Sequence, residues 1–210
     1  WMHWRGDDMK EKNSAEIAAQ GMESYRRGNE YVAQNKADEA RQCYYEALDK
    51  GYVNFKSLLA AAMVEKTRGN KEEVLHLLRR ACETNPEANV TRKLYLEELF
   101  EQKKYEEGWN YLLEQDEIFD KESRVYLEIK SRFASALQMK EPAKEAFLKL
   151  YEKYESREAA LSLAVFALAE KQPETAKKYL ELILKEGQKE KGAKTVLYAA
   201  AEELQKVCVQ

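Results

Sequence analysis

One spacing recurs from end to end of this chain and limits its fold more than any other feature. The residue at position 40 has counterparts after successive steps of 34, 34, 35 and 33 residues. This column consists of Ala40, Val74, Gly108, Ala143 and Ala176. Two further columns, which begin at Gly28 and Tyr44, keep the same period. Self-similarity on this scale predicts a stack of short structural units, each of which buries its apolar face against its neighbours.

Within each period the sequence predicts two helices in succession. Apolar residues stand three or four positions apart, which is the spacing of one buried helical stripe. Gly69-Asn70 and Asn85-Pro86 interrupt this spacing, and Asn13 followed by Glu16 resembles a capping box that starts the first helix. The predicted helices span residues 13–35, 37–50, 55–68, 71–84, 90–102, 105–117, 121–140, 141–155, 157–170, 173–185 and 193–208.

The pattern from Tyr25 to Asp49, with Pro86 closing the second unit, resembles the tetratricopeptide repeat, a helix-turn-helix unit of about 34 residues. The resemblance implies an all-α, right-handed superhelical solenoid of about five repeats with a C-terminal capping helix. Three regions follow from this interpretation. Residues 1–13 form a flexible leader, residues 14–188 form the repeat array, and residues 189–210 form the capping helix.

Composition excludes several classes of function. The 38 acidic and 35 basic residues leave a net charge of −3, which gives no strong field to attract nucleic acid. The three cysteines, Cys43, Cys82 and Cys208, are widely spaced and fit neither a disulfide framework nor a zinc site. They favour a reducing compartment, so we expect a cytoplasmic location. The longest apolar run, 159–169, is too short for a membrane span of about 20 residues.

The first residues allow three interpretations. Trp1, His3, Trp4 and Arg5 are a disordered remnant of how the chain was produced, a strap packed on the repeats, or the interfacial end of a preceding transmembrane helix. Aromatic and basic residues are typical of that interface. The last interpretation would tether the protein to the cytoplasmic side of a membrane, although the repeats themselves would not insert.

The sequence shows no catalytic device. His76 has no cysteine or carboxylate at metal-ligand spacing, and Glu97, Glu98 and Glu101 have the spacing of a solvated helical face. We therefore expect a non-enzymatic protein without a cofactor or a metal.

The family resemblance implies a concave groove, lined by the first helix of each repeat, that binds a peptide or a helix of a partner protein. The predicted groove residues are Tyr25, Arg26, Asn29, Lys56, Met63, Lys93, Glu97, Val125, Ile129, Arg132, Leu161, Val165 and Leu168. One subgroup of the family grips a C-terminal carboxylate with two Lys, two Asn and one Arg. Only Asn29 matches that set, so the sequence predicts no such clamp.

Three functions remain open. The first is an adaptor that holds a partner peptide or helix, and the second is a self-assembling subunit whose groove is filled by another copy or by a chain end. The third is a regulatory module of a larger protein. At the apolar end of the groove, Leu161, Val165 and Leu168 form either an exposed docking patch or a surface that is covered, because the superhelix closes over them or the last helix folds back.

Overall fold

The computed structural model describes residues 4–86, 89–115, 119–187 and 196–208, with side chains from Ser14 onward except at positions 186 and 187. This part of the chain is built from helices and turns, and it divides into two compact units, Trp1–Lys103 and Lys104–Gln210. Helices in the first unit are α1 (Trp4–Ala33), α2 (Ala37–Asp49), α3 (Phe55–Arg68), α4 (Lys71–Thr84) and α5 (Asn89–Glu101). Those in the second unit are α6 (Tyr105–Glu114), α7 (Arg124–Ala136), α8 (Lys140–Tyr154), α9 (Arg157–Ala169), α10 (Pro173–Gly187) and α11 (Val196–Val207).

The sequence period reappears in the backbone of the turns. The turn after the first helix of each repeat has one residue with positive φ, and these residues are Asn35, Gly69, Lys103, Gln138 and Lys171. Their positions differ by the same steps of 34, 34, 35 and 33 residues as the Ala40 column. At four of these turns the next amide donates to the carbonyl oxygen five residues before it, as in Lys36 N to Tyr31 O at 2.9 Å. At these four turns the left-handed residue therefore ends the first helix in the same way and lets the second helix fold back.

The helix α3 illustrates how local sequence sets these boundaries. Asn54 Oδ1 accepts hydrogen bonds from the amides of Lys56 and Ser57, at 2.9 and 3.1 Å. The Asn54 amide in turn donates to Ser57 Oγ at 3.1 Å, which completes a capping box. Gly69, with φ of 78°, ends the helix. The predicted bounds of this helix, 55–68, are confirmed.

The first helix differs from its prediction. It begins at Trp4 and continues to Ala33, so Asn13 lies inside the helix and does not cap it. No proline occurs in this stretch, and a single glycine such as Gly6 costs a helix only about 1 kcal/mol. The expectation of a leader without helical structure is therefore wrong from Trp4 onward. Trp1 and His3 lie outside the described residues.

Each unit has its own core. In unit 1 the second helices contribute Ala40, Tyr44, Leu77 and Leu78, and the first helices contribute Leu58, Ala62 and Leu96, all at most 2% exposed. In unit 2, α9, α10 and α11 share a cluster of buried residues. Its members are Ala160, Ala164, Ala167, Ala176, Leu180, Ile183, Ala201 and Cys208. The small residues at the repeating positions bring the paired helices close together.

Candidate partner-binding site

An apolar cleft of about 310 Å³ opens between α1 and α3 in unit 1. Val32 comes from α1, Asn35 from the turn after it, and Ala37 from the start of α2. Its lining consists of Val32, Asn35, Lys36, Ala37, Tyr44, Ala60, Met63, Val64 and Thr67. The cleft is therefore formed by the first helices of two successive repeats, as the family resemblance implies for a binding surface.

Glycine at position 28 allows Tyr44 to lie beside the cleft. A Cβ at Gly28 would stand 2.5 Å from Tyr44 Cε1, so the aromatic ring occupies the space that a side chain would need. Tyr44 is only 2% exposed, and its hydroxyl donates a hydrogen bond to Asn29 Oδ1 at 2.9 Å. Burial raises the pKa of Tyr44 to about 12, so the hydroxyl keeps the proton that it donates even at pH values above its ordinary pKa of about 10.

Two walls of the cleft expose apolar side chains. Val32 on α1 is 48% exposed and Met63 on α3 is 43% exposed. On α3, Ala60, Met63 and Thr67 follow one another at helical spacing and share one face of the helix. The methionine side chain is flexible and adapts its shape to different apolar groups. The cleft can therefore bury additional apolar surface of a ligand.

Lys36 is the one charged residue among those that line the cleft. Its Nζ lies 5.7 Å from the centre of the Tyr31 ring, within the range of a cation–π contact. In the described part of the chain, Lys36 forms no ion pair. The cleft is thus apolar inside and carries one positive charge at its edge.

The wall formed by α3 is held in place by a buried carboxylate. Glu65 is 0% exposed, and Arg41 on α2 donates to its Oε1 at 2.5 Å. Asn70, at the start of α4, donates to its other oxygen. Burial alone raises the pKa of Glu65, but the hydrogen bonds from Asn70, Arg41 and Tyr45 outweigh burial and leave the pKa below its ordinary value. One charged residue thereby connects α2, α3 and α4.

A second ionic contact connects α3 to α5. Lys66 Nζ lies 2.7 Å from Glu98 Oε2 and 2.6 Å from Glu101 Oε2. Glu98 is itself 6% exposed and accepts a further hydrogen bond from Gln102 at 2.7 Å. These contacts join α3 to α5.

The predicted groove residues of unit 1 divide into two groups. Met63 lines the cleft, and Asn29 holds the hydroxyl of Tyr44. Tyr25 is half-buried, with ring centres 5.8 Å from Tyr44 and 5.5 Å from Tyr52. The other predicted residues do not line the cleft: Arg26 lies 3.6 Å from Glu23, Lys93 lies 3.7 Å from Glu97, and Lys56 is exposed at the start of α3.

One predicted residue of unit 2 belongs to the core instead of an accessible surface. Ile129 is 4% exposed, because it shares a helical face of α7 with the buried residues Tyr126 and Phe133. Its placement in the groove is corrected accordingly. Val125, 38% exposed, and Arg132 are on the surface of the same helix.

The α9 residues differ from one another. Val165 is 50% exposed, whereas Leu161 and Leu168 are half-buried and pack against the core cluster shared by α9, α10 and α11. The last helix therefore contributes to covering part of this surface, through Ala201 and the half-buried Leu197 and Leu204. An exposed docking patch formed by all three α9 residues stays a prediction, with Val165 its one exposed member.

Several lining residues are absent from the groove predicted from the sequence, among them Asn35, Lys36, Ala37 and Thr67. Three of them belong to the turn between α1 and α2 or to the first position of α2. The left-handed turn at Asn35 brings them to the cleft, and the repeating turn position was the signal that could have identified them.

Other features that the sequence singled out lie elsewhere. His76 is exposed on α4. The three cysteines are buried and form no disulfide within the described residues. Within the described residues, no helix combines the length and the apolar character needed to cross a membrane, and no group of His, Cys, Asp and Glu side chains is arranged to hold a metal ion.

The chain has the tetratricopeptide-repeat fold. Its helices are paired, one turn recurs every 33 to 35 residues, and small residues lie between the helices. The predicted all-α repeat fold is confirmed by solved structures. A structure of pilF from Pseudomonas aeruginosa has a TM-score of 0.60 and 23% identity, covering 93% of this chain and 86% of its own. MamA from Desulfovibrio magneticus RS-1 has a TM-score of 0.65 and 10% identity, covering 82% of this chain and 98% of its own.

A third similar structure is that of YrrB, described as a TPR protein with an unusual peptide-binding site. Its TM-score is 0.63 at 14% identity, and the match covers 96% of this chain and 97% of YrrB. No protein-family model matches the chain, and no curated protein matches it significantly. These likenesses establish the fold.

Proposed function

We propose that this protein is a non-enzymatic interaction scaffold that binds a segment of a partner protein, either a peptide or a helix, through the first helices of its repeats. The observation that carries this proposal is the cleft between α1 and α3, which has apolar walls that are 48% and 43% exposed at Val32 and Met63. Ordered apolar surface inside a concave site is the usual feature of a binding pocket. The fold itself is one that serves as an interaction scaffold, and YrrB, which shares it, has a peptide-binding site.

The test is affinity capture of partners by the intact chain, with variants that change one cleft residue. Met63→Asp places a carboxylate in the apolar wall and is expected to abolish capture of the partner. Met22→Asp is the matched control, because Met22 is 45% exposed on a helix of the same unit but does not line the cleft. Equal capture by the two variants would contradict the proposal.

The competing proposal is a self-assembling subunit whose apolar cleft is occupied by another copy. Light scattering across a hundredfold range of protein concentration separates the two. A constant monomer mass favours the scaffold, whereas a mass that doubles with concentration in the wild type but not in Met63→Asp favours self-assembly. The predicted cytoplasmic location and the tether upstream of Trp1 stay predictions.

A further inference from the structure

Among the described residues, the two cations next to Thr67 on α3 have carboxylate partners, whereas the cation that lines the cleft has none. Arg68, which follows Thr67 on α3, pairs with Asp38, and Lys66 pairs with Glu98 and Glu101. Lys36, by contrast, has no carboxylate partner among the described residues, although it lines the cleft and is exposed. A cation beside an apolar cavity attracts a ligand that carries a negative charge at the corresponding position.

The size of the cleft limits what fits inside it. A volume of about 310 Å³ lies at the lower end of the roughly 300–1,000 Å³ found for ligand sites. Val32 and Met63 line it from different helices, and neither side chain carries a strong hydrogen-bonding group. Such a space suits one large aliphatic or aromatic side chain, with the remainder of the ligand outside the cavity.

We propose that the cleft receives one large apolar side chain of a protein segment in which an Asp or Glu stands close to that side chain, and that Lys36 pairs with the acidic residue. The inference rests on the proposed scaffold function and specifies the chemistry of the partner. An ammonium at a partly exposed edge contributes modestly, so we expect it to change affinity about two- to fivefold while burial of the apolar side chain supplies most of the binding.

The first experiment selects ligands from a random pool, so it does not require an identified partner. Twelve-residue peptides of random sequence, displayed on phage, are selected on the intact wild-type chain, on Met63→Asp and on Met22→Asp. We expect enrichment of peptides with Leu, Phe, Met or Trp within two residues of an acidic residue, on the wild type and on Met22→Asp alone. If no enriched peptide depends on Met63, the scaffold function through this cleft is itself wrong.

The second experiment isolates the charge. An enriched peptide and its counterpart with Asn or Gln in place of the acidic residue are titrated by fluorescence anisotropy. Lys36→Gln is expected to lower the affinity for the acidic peptide two- to fivefold without changing the affinity for the amide peptide. Lys36→Glu is expected to lower the affinity for the acidic peptide further. Lys103→Glu is the matched control, because Lys103 is also exposed, lies at the corresponding turn and has no ion pair in the described part of the chain.

The two failures are distinguishable. The role of Lys36 is wrong if the selected peptides require Met63 but show no bias toward acidic residues. It is also wrong if they bind Lys36→Glu as well as the wild type. Either result leaves the scaffold function in place. A circular dichroism spectrum and a melting temperature equal to those of the wild type establish that each variant is folded.

Discussion

At Gly28, the absence of a side chain decides where an aromatic ring lies. Tyr44 fills the space beside the glycine, and this position places the ring next to the cleft and its hydroxyl on Asn29. A glycine inside a helix usually lowers stability by up to about 1 kcal/mol relative to alanine. The position therefore favours glycine for packing, against the intrinsic preference of the helix.

Gly28→Ala is accordingly expected to lower the free energy of unfolding, whereas a Gly→Ala change inside a helix usually raises it. The added Cβ forces Tyr44 to move, and overpacking of this kind costs about 1–3 kcal/mol. Urea unfolding followed by circular dichroism measures the change. The double variant Gly28→Ala/Tyr44→Leu should be more stable than the sum of the two single changes predicts, because the smaller leucine removes the clash. Simple additivity would show that the two residues do not constrain each other.

Glu65 provides a second prediction at the scale of one residue. Its pKa lies below the unfolded value of about 4.3, so it stabilises the fold at pH values above the unfolded pKa and loses this effect as the pH falls through the folded pKa. Glu65→Gln is expected to lower the free energy of unfolding by about 1.5–3 kcal/mol near pH 7, since it weakens charge-assisted hydrogen bonds. The difference from the wild type should shrink below about pH 4.

The control for this pH experiment is Glu83→Gln, because the Glu83 side chain is 67% exposed and its ion pair with Arg79 spans 3.7 Å. Its effect on stability should be within about 0.5 kcal/mol at every pH. A Glu65→Gln effect that is independent of pH would mean that shape and packing, not charge, hold α3 in place.

At the scale of the element, the turns show what sequence reasoning can and cannot reach. Helix-breaking residues such as Gly69 predicted the bounds of α3 and α4 correctly, because glycine and asparagine strongly favour turns. The start of α1 was missed because Gly6 is only a weak breaker. The buried position of Ile129 and the cleft beside Lys36 were also missed, because both depend on contacts between helices that local spacing does not encode.

The repeated turn predicts that a Lys→Gly substitution raises the free energy of unfolding at the turn and lowers it inside a helix. Lys171 has φ of 58°, a left-handed conformation that costs a residue with a Cβ roughly 1–2 kcal/mol. Lys171→Gly is therefore expected to raise the free energy of unfolding by about 1 kcal/mol. Lys178→Gly, at an exposed position inside α10, should lower it by about 1 kcal/mol. Thermal melts of both variants test this, and destabilisation by both would contradict the role assigned to the turn.

At the scale of the whole molecule, the chain builds two cores from successive helical pairs. Repeat proteins of this kind derive their stability from each repeat and from its contacts with neighbouring repeats. The core of unit 1 draws on buried residues from α2, α3, α4 and α5, such as Tyr44, Leu58, Leu77 and Leu96. The main contacts of unit 1 join helices that are neighbours along the sequence.

We therefore expect the fragment that ends at Lys103 to fold by itself. Its circular dichroism should show high helix content and a cooperative melt. A fragment that ends at Gly69 lacks both α4 and α5, and should unfold at a temperature lower by roughly ten degrees or more, on the order of several kcal/mol of lost apolar burial. Equal melting of the two fragments would show that α4 and α5 together contribute little to unit 1.

The length of α1 has a consequence for access to the cleft. At about 1.5 Å per residue, Trp4 lies roughly 42 Å along the helix from Val32, which forms the cleft wall. Residues 14–20 of this helix are all exposed. A continuous helix is stiff, so a group joined at the Trp4 end of α1 is held away from the cleft at a fixed distance. Its local concentration at the cleft is low, and a ligand from another molecule meets little competition from that direction.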